Sequence, residues 1–330
     1  MTIEYYVDAD SGSDGNGGTG WGDAKEHISA ALELITGTIT DETIIHLKKG
    51  TTAAYSGDCD IQGVTCLGDD SKLIIQPEDW DQTKYEDASG DPLGGAGDFD
   101  PKTDPTVILE LKITVTNSTD VELRGLGFLG EDDNAGVEAH GKSEVTANYC
   151  RFEGVNAQLL TRLGAEAMAS NCYFLDNMFA VTAAYKSMVM LAGDNYIEDA
   201  VYWGVGAIVD STVVIIAWPE HQFEYYTTEI KTTTPRTRQY AGMKAVAGST
   251  ICVQDETLHP MMPLVSHVHI RNDQHVLKSD YFGVQIDSGS LLSGADGITF
   301  TTLNAKGDAT DMPEANRIVA ATSRGAVVAK

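Results

Sequence analysis

The chain is short of positive charge: 22 Lys and Arg stand against 49 Asp and Glu, a formal net charge of −27. Phosphate binding needs a basic face, so nucleic acid is excluded as a partner, and an anionic membrane surface is disfavoured for the same reason. Long apolar runs are also missing. The longest, Val213 to Trp218, has six residues, far below the ~18 that suggest a membrane-spanning helix, which excludes membrane insertion. The opening MTIEYYVDAD lacks the basic and apolar regions of a secretory leader, which predicts synthesis in the cytoplasm without a signal peptide. Five cysteines with no C-x-x-C spacing argue against a disulfide framework and a structural zinc site; no metal and no cofactor is expected. Proline is rare, with 9 residues against 33 glycines, a balance that favours many turns and few helices.

What the sequence does have is a repeat. Four segments begin 24, 22 and 22 residues apart: VELRGLGFLG from Val121, VTANYCRFEG from Val145, AMASNCYFLD from Ala167 and VMLAGDNYIE from Val189. An aromatic position recurs as Phe128, Phe152, Phe174 and Tyr196, and a small or apolar one as Leu123, Ala147, Ala169 and Leu191. A second strand follows in each unit. Its columns read Ala135, Ala157, Phe179, Val201, then Val137, Leu159, Val181, Trp203, then Ala139, Thr161, Ala183, Val205. The period-2 alternation makes these segments strands. No helix of useful length fits between them, which excludes β-α-β crossovers. An antiparallel sandwich with accidental periodicity is the competing reading. Stacked units of short strands instead predict an all-β parallel solenoid with ~22-residue rungs ~4.8 Å apart.

The pattern continues with insertions. Gly204 to Val213 aligns with Gly242 to Ile251 at an offset of 38, and the latter with Gly283 to Leu292 at an offset of 41. Upstream, TIIHLK (43–48) and KLIIQP (72–77) read as earlier strands. A solenoid end needs a cap. Ile28, Ala31, Leu32 and Ile35 share one helical face, and Asp23 with Glu26 makes an N-cap signature, so a helix over 23–35 is expected across that end. The expected organisation is therefore 1–40 for a first strand, Gly-rich loop and capping helix, 41–300 for the solenoid, with insertions near 78–105, 218–240 and 254–281, and 301–330 for a cap or tail.

The opening residues also carry a resemblance. Tyr6-Val7-Asp8-Ala9, the run from Gly12 to Thr19, Trp21 and Ala30-Ala31-Leu32 resemble the start of right-handed parallel β-helix proteins of the pectate-lyase-like superfamily, which includes bacteriophage tailspikes and tail-associated β-helix proteins. Ile45 to Thr51 and Tyr55-Ser56-Gly57 resemble the first rung of such proteins. The resemblance covers roughly residues 3–60 by motif and 107–300 by repeat. It implies a single-stranded right-handed parallel β-helix with an N-terminal capping helix. It also implies a tailspike-like protein that binds cell-surface polysaccharide, assembles as a homotrimer and is virion-associated, or extracellular after lysis. A polysaccharide lyase or glycoside hydrolase of the same fold is the alternative, and a structural fibre or baseplate protein a second one. No lyase motif carries over.

Several constellations invite chemistry. Gly15-x-Gly17-x-x-Gly20 matches a dinucleotide fingerprint, but the stretch from Val7 is too long for that tight turn and no second β-α unit follows. Asp8, Asp10, Asp14 and Asn16 offer oxygens without the EF-hand spacing, so turn formation is the plainer role. Asp176 and Glu198, 22 residues apart, are expected side by side on neighbouring rungs, where paired carboxylates divide acid and nucleophile roles. Cys150 and Cys172 share a column in which Asp194 is expected next. The two late insertions gather Trp218, His221, Tyr225, Tyr226, Arg236 and Arg238, then His267, His269 and Arg271. Aromatic rings stack on sugars, and Arg or His holds acidic groups, so these residues form the expected ligand surface.

Overall fold

The computed structural model describes residues 1–330 except 36, 52–53, 58, 69, 82–104, 131–135, 155–157, 218, 221–223, 226–227, 233–240, 256–267, 273–281, 288, 296–297, 304–308, 321–325 and 329–330. Among the described residues the strands form three long sheets, each visited once per rung, in the order I, II, III. Sheet I has eleven strands and opens with Ile3–Val7; sheet II has nine and opens with Val107–Leu109; sheet III has nine and opens with Cys59–Gln62. Almost every pairing in them is parallel. The fold is a right-handed parallel β-helix.

Like stacks on like inside. Phe128, Phe152 and Phe174 are at most 1 % exposed, with ring centroids 4.8 and 4.7 Å apart and nearly parallel planes. Sheet I keeps the expected column Leu123, Ala147, Ala169, Leu191 in register. The later offsets also hold: Val205 pairs Met243, and Met243 pairs Val284. A buried serine ladder lines one corner. The Ser187 N–H bonds Ser211 Oγ (3.3 Å), the Ser211 N–H bonds Ser249 Oγ, and the Ser249 N–H bonds Ser290 Oγ (both 3.2 Å). Each hydroxyl takes a corner N–H that no strand reaches, as a buried donor requires.

Two expectations on register need correction. Phe174 pairs Ile197, not Tyr196, which lies beside Tyr173 on the outer surface. Ser170 pairs Ala192, still 22 residues on, so the extra residue enters at the Gly193–Asp194 corner. For the same reason Asn195, not Asp194, follows Cys172: its Oδ1 accepts the Cys172 N–H at 3.1 Å. A further slip follows, because Val181 pairs Val205 and Phe179 pairs Trp203. Trp203 therefore does not stack on Val181, nor Val201 on Phe179. The late insertions are also not simple loops. Thr228–Thr232 and Val268–Asn272 are sheet II strands whose Ile230 and Ile270 fill the interior between Ile197 and Phe300.

The capping helix is shorter than expected. Helix α1 spans Ile28–Leu32, preceded by a 3-10 turn at Trp21–Asp23. Its apolar face, Ile28, Ala31 and Leu32, with Ile35 beyond it, is buried as expected. Asp23 does not cap it; its carboxylate accepts the Gly17 N–H. Asp14 Oδ1 instead accepts the N–H groups of Glu26 and His27, at 3.1 and 3.0 Å. In the loop before it, fully buried Asp8 accepts Lys48 Nζ at 2.6 Å, the N–H groups of Asp10 and Ser11, and the Ser11 hydroxyl. Asp8 thus forms a turn, the plainer role, whereas Asp14 reaches across to the start of α1. From 301 onward the chain adds to all three sheets: Ala309–Asp311 pairs antiparallel on sheet II, Ile318–Ala320 joins sheet III and Val327–Val328 joins sheet I.

Candidate functional site: the outer faces of sheets II and III

Of the expected site residues, Trp218, His221, Tyr226, Arg236, Arg238 and His267 lie outside the described residues. Tyr225 lies on a short strand, Glu224–Tyr225, and its side chain is likewise outside the description. The expected carboxylate pair does not form in register. Glu198 stands opposite Leu175, while Asp176 turns the corner with φ 58° and donates its N–H to the Glu198 carbonyl at 3.1 Å. The one-residue slip at 193–194 is the cause.

The fold does bring Glu198 and His269 onto one surface, the outer face of sheet II; Arg271 belongs to the same strand as His269, and its side chain lies outside the description. Register runs Glu153, Leu175, Glu198, Lys231, Arg271, Thr301 along one column. The neighbouring column runs Arg151, Tyr173, Tyr196, Glu229, His269, Thr299. Tyr173 Oη donates to Glu198 Oε2 at 2.7 Å and Lys231 Nζ lies 3.4 Å from Oε1. Burial, reinforced by the Glu198 carboxylate, pushes the Tyr173 phenol up, so it remains a donor. His269 Nε2 sits 2.8 Å from Thr301 Oγ1. Arg151 pairs with Glu153 at 2.5 Å. Each of these contacts ties one rung to another or to its own strand, which is what a surface ion-pair ladder does.

The outer face of sheet III is different. A column of eight positions runs Asp60, Thr114, Glu138, Leu160, Thr182, Gly206, Lys244, Gln285. Seven rung steps give it a length of roughly 34 Å. Near one end, Glu138 is ringed by Lys112 at 2.9 Å, Arg162 at 3.2 Å and His140 at 3.2 Å. Burial alone would raise its carboxyl, but the Lys112 hydrogen bond and the surrounding cations hold it below the usual range.

Three rungs further on lies an aromatic platform. Trp203 and Phe179 stand 4.4 Å apart between centroids, with Tyr202 5.2 Å from Phe179, and all three are half-buried. The Trp203 ring lies flat over Gly206: a Cβ there would come 2.1 Å from Trp203 Nε1. Its N–H donates to Thr182 Oγ1 at 3.3 Å, and Lys244 Nζ sits 5.3 Å from the ring centroid. The ring is thus fixed in plane and edge. Trp203 faces outward because Gly204 points inside, against Ile197 and Ile230, and Val205 is also interior. Ala180 and Val181 do the same under Phe179. Strict alternation cannot foresee two successive inward residues at a corner. The signal that was available is the pair of glycines beside a tryptophan, Gly204 and Gly206.

Comparison with known proteins gives no relative by sequence: no family model matches, and neither does any curated protein. Among solved structures the chain is similar to a GH136 lacto-N-biosidase from Eubacterium ramulus, with a TM-score of 0.50 at 12% identity, over 92% of this chain and 56% of that one. The chain thus spans little more than half the length of that protein, and the likeness is one of fold. A pectin methylesterase, PemA from Erwinia chrysanthemi, aligns over 97% of this chain and 88% of its own at 10% identity with a TM-score of 0.27.

Proposed function

We propose that this chain binds polysaccharide along the outer face of sheet III, with Trp203 as the stacking platform. The observation that carries this reading is a half-buried indole held flat over a glycine, edge-fixed by Thr182 and flanked by two further aromatic rings. An apolar face presented at low entropic cost suits the C–H face of a sugar ring. Lys112, Arg162 and Lys244 add donors along the same face. The fold-level neighbour is named for its action on a glycan, which fits this reading. The experiment is a titration of tryptophan fluorescence against a panel of bacterial and plant polysaccharides. Trp203→Ala is expected to weaken binding tenfold or more, about 1.4 kcal/mol or above. Unchanged affinity would sink the proposal.

The finer reading is a tailspike-like protein of a virion that binds a host-surface polysaccharide as a homotrimer. The support for it is the motif resemblance at residues 6–32 and 45–57. Light scattering at physiological salt tests the trimer; a monomer at all concentrations would remove it. Catalysis by Asp176 and Glu198 has no support from register, and Glu198 is bound up in the sheet II ladder.

A further inference from the structure

Sheet III starts at the strand Cys59–Gln62, and helix α1 packs against that strand where a further rung would otherwise lie. A helix has no strand edge to offer, so the two surfaces do not mate by a hydrogen-bond ladder. Between them is a cavity of about 350 Å³. Its walls include Ser29, Leu32 and Glu33 on the helix side and Asp60, Ile61 and Gln62 on the strand side. Asp60 and Gln62 are the exposed, outward-facing residues of their strand, alternating with buried Cys59 and Ile61. Asp60 is also the first member of the outer column that passes through Thr114, Glu138, Leu160 and Thr182 to Gly206, beneath the Trp203 ring. Five rung steps separate the two ends, roughly 24 Å. The cavity and the platform therefore lie on one track, and α1 stands across the track at the cavity end.

The lining has a definite chemistry. Leu32 and Ile61 give an apolar wall, and Ser29, Gln62 and two carboxylates, Glu33 and Asp60, give a polar one. That division matches a sugar ring, with a C–H face and a rim of hydroxyl donors. The volume lies at the lower end of small-molecule sites. Two acids repel a carboxylate, so a neutral ring fits and a uronate does not.

We propose that this cavity is a terminal subsite: it holds the neutral end residue of the polysaccharide whose following residues run toward Trp203. The protein then recognises a glycan by its end and not at any point along it. This rests on the reading of sheet III as the polysaccharide face.

The test uses the full chain and the neutral hexasaccharide that binds best in a panel of malto-, cello- and N-acetylchito-hexaose. Two blocked forms are compared with it, both neutral: one reduced to the alditol at the reducing end, the other carrying a 4,6-O-benzylidene group at the non-reducing end. Blocking one of the two ends is expected to weaken binding at least tenfold. Ser29→Trp and, separately, Gln62→Trp fill the cavity from opposite walls. Both should lower affinity for the open hexasaccharide at least tenfold and abolish the distinction between open and blocked forms, with melting temperatures unchanged. Equal affinity for all three hexasaccharides, or unchanged affinity in both folded variants, overturns the terminal subsite. If that happens while Trp203→Ala still removes binding, the platform stands alone. If no hexasaccharide binds, or Trp203→Ala has no effect, the polysaccharide reading of sheet III falls and the subsite with it.

Discussion

The interior and the outer surface of this solenoid follow opposite rules. One interior column reads Phe128, Phe152, Phe174, Ile197, Ile230, Ile270, Phe300, large and apolar at every rung. The outer column of sheet III reads Asp60, Thr114, Glu138, Leu160, Thr182, Gly206, Lys244, with the chemistry changing at nearly every step. The backbone ladder is the same on both sides, so the difference lies in what the side chains must do. Inside, each residue has to fill the space between its neighbours above and below, which repeats the same demand. Outside, no such demand exists, and variation there carries information about ligands. The outer face of sheet II is intermediate: it mixes charged and aromatic residues, and Arg151, Glu153, Glu198 and Lys231 are spent on contacts with each other and with Tyr173.

The largest effect should come from breaking the interior rule. Phe152→Ala removes the middle ring of the phenylalanine stack and should cost about 3–5 kcal/mol, read as a lowered urea midpoint. Glycan affinity of the folded fraction should be unchanged; a selective loss of affinity would blur the division between inside and outside. Gly206→Val comes next and should separate the two in the other direction. A Cβ there displaces the Trp203 ring, so binding should fall as far as in Trp203→Ala while the melting temperature moves little.

Smaller effects compare the two outer faces. Glu138→Gln removes the charge that gathers Lys112, Arg162 and His140, and should cost about 1–3 kcal/mol in thermal or chemical unfolding. Glu198→Gln, on sheet II, should cost about 1 kcal/mol or less and leave glycan binding unaltered. A binding loss there would move the site to sheet II. Acid completes the comparison. Burial alone would raise Asp8, but the Lys48 contact, the Ser11 hydroxyl and two backbone N–H groups hold it at about 2. Glu138 and Glu122 are depressed as well. Depressed carboxyls stabilise the fold above their unfolded values, near pH ~4, and that contribution drains away as the pH falls toward ~2. Melting temperatures recorded from about pH 5 down to about pH 2 should fall steeply in wild type and less steeply in Asp8→Asn.

Much of the fold is legible in the residues alone. Period-2 alternation within a segment names the inward side, and recurrence of the same residue types names the rungs. That is why Leu123, Ala147, Ala169 and Leu191, the three stacked phenylalanines and the offsets of 38 and 41 all emerge without a structure. The apolar face of the cap emerges for the same reason, since Ile28, Ala31, Leu32 and Ile35 fall on one helical side. The candidate site was far less visible. Of the expected site residues, Glu198 and His269 come to share a face, by a route that column counting did not foresee.

What only the tertiary structure decided is whatever depends on corners. A corner carries no periodic signal, and one residue more or less in it moves every later side chain to a new neighbour or to the other face. The extra residue at Gly193–Asp194 separated Asp176 from Glu198. The paired inward residues at Gly204 and Val205 turned Trp203 to the outer face, where column counting had stacked it on Val181. The strands Thr228–Thr232 and Val268–Asn272 stayed hidden because each shows one turn of alternation within a long insertion. The meeting of α1 with Asp60 and Gln62 joins residues ~30 apart in the chain, through packing at the end of the solenoid that no local pattern encodes. Sequence determined which residues stack; the length of each corner determined which of them meet.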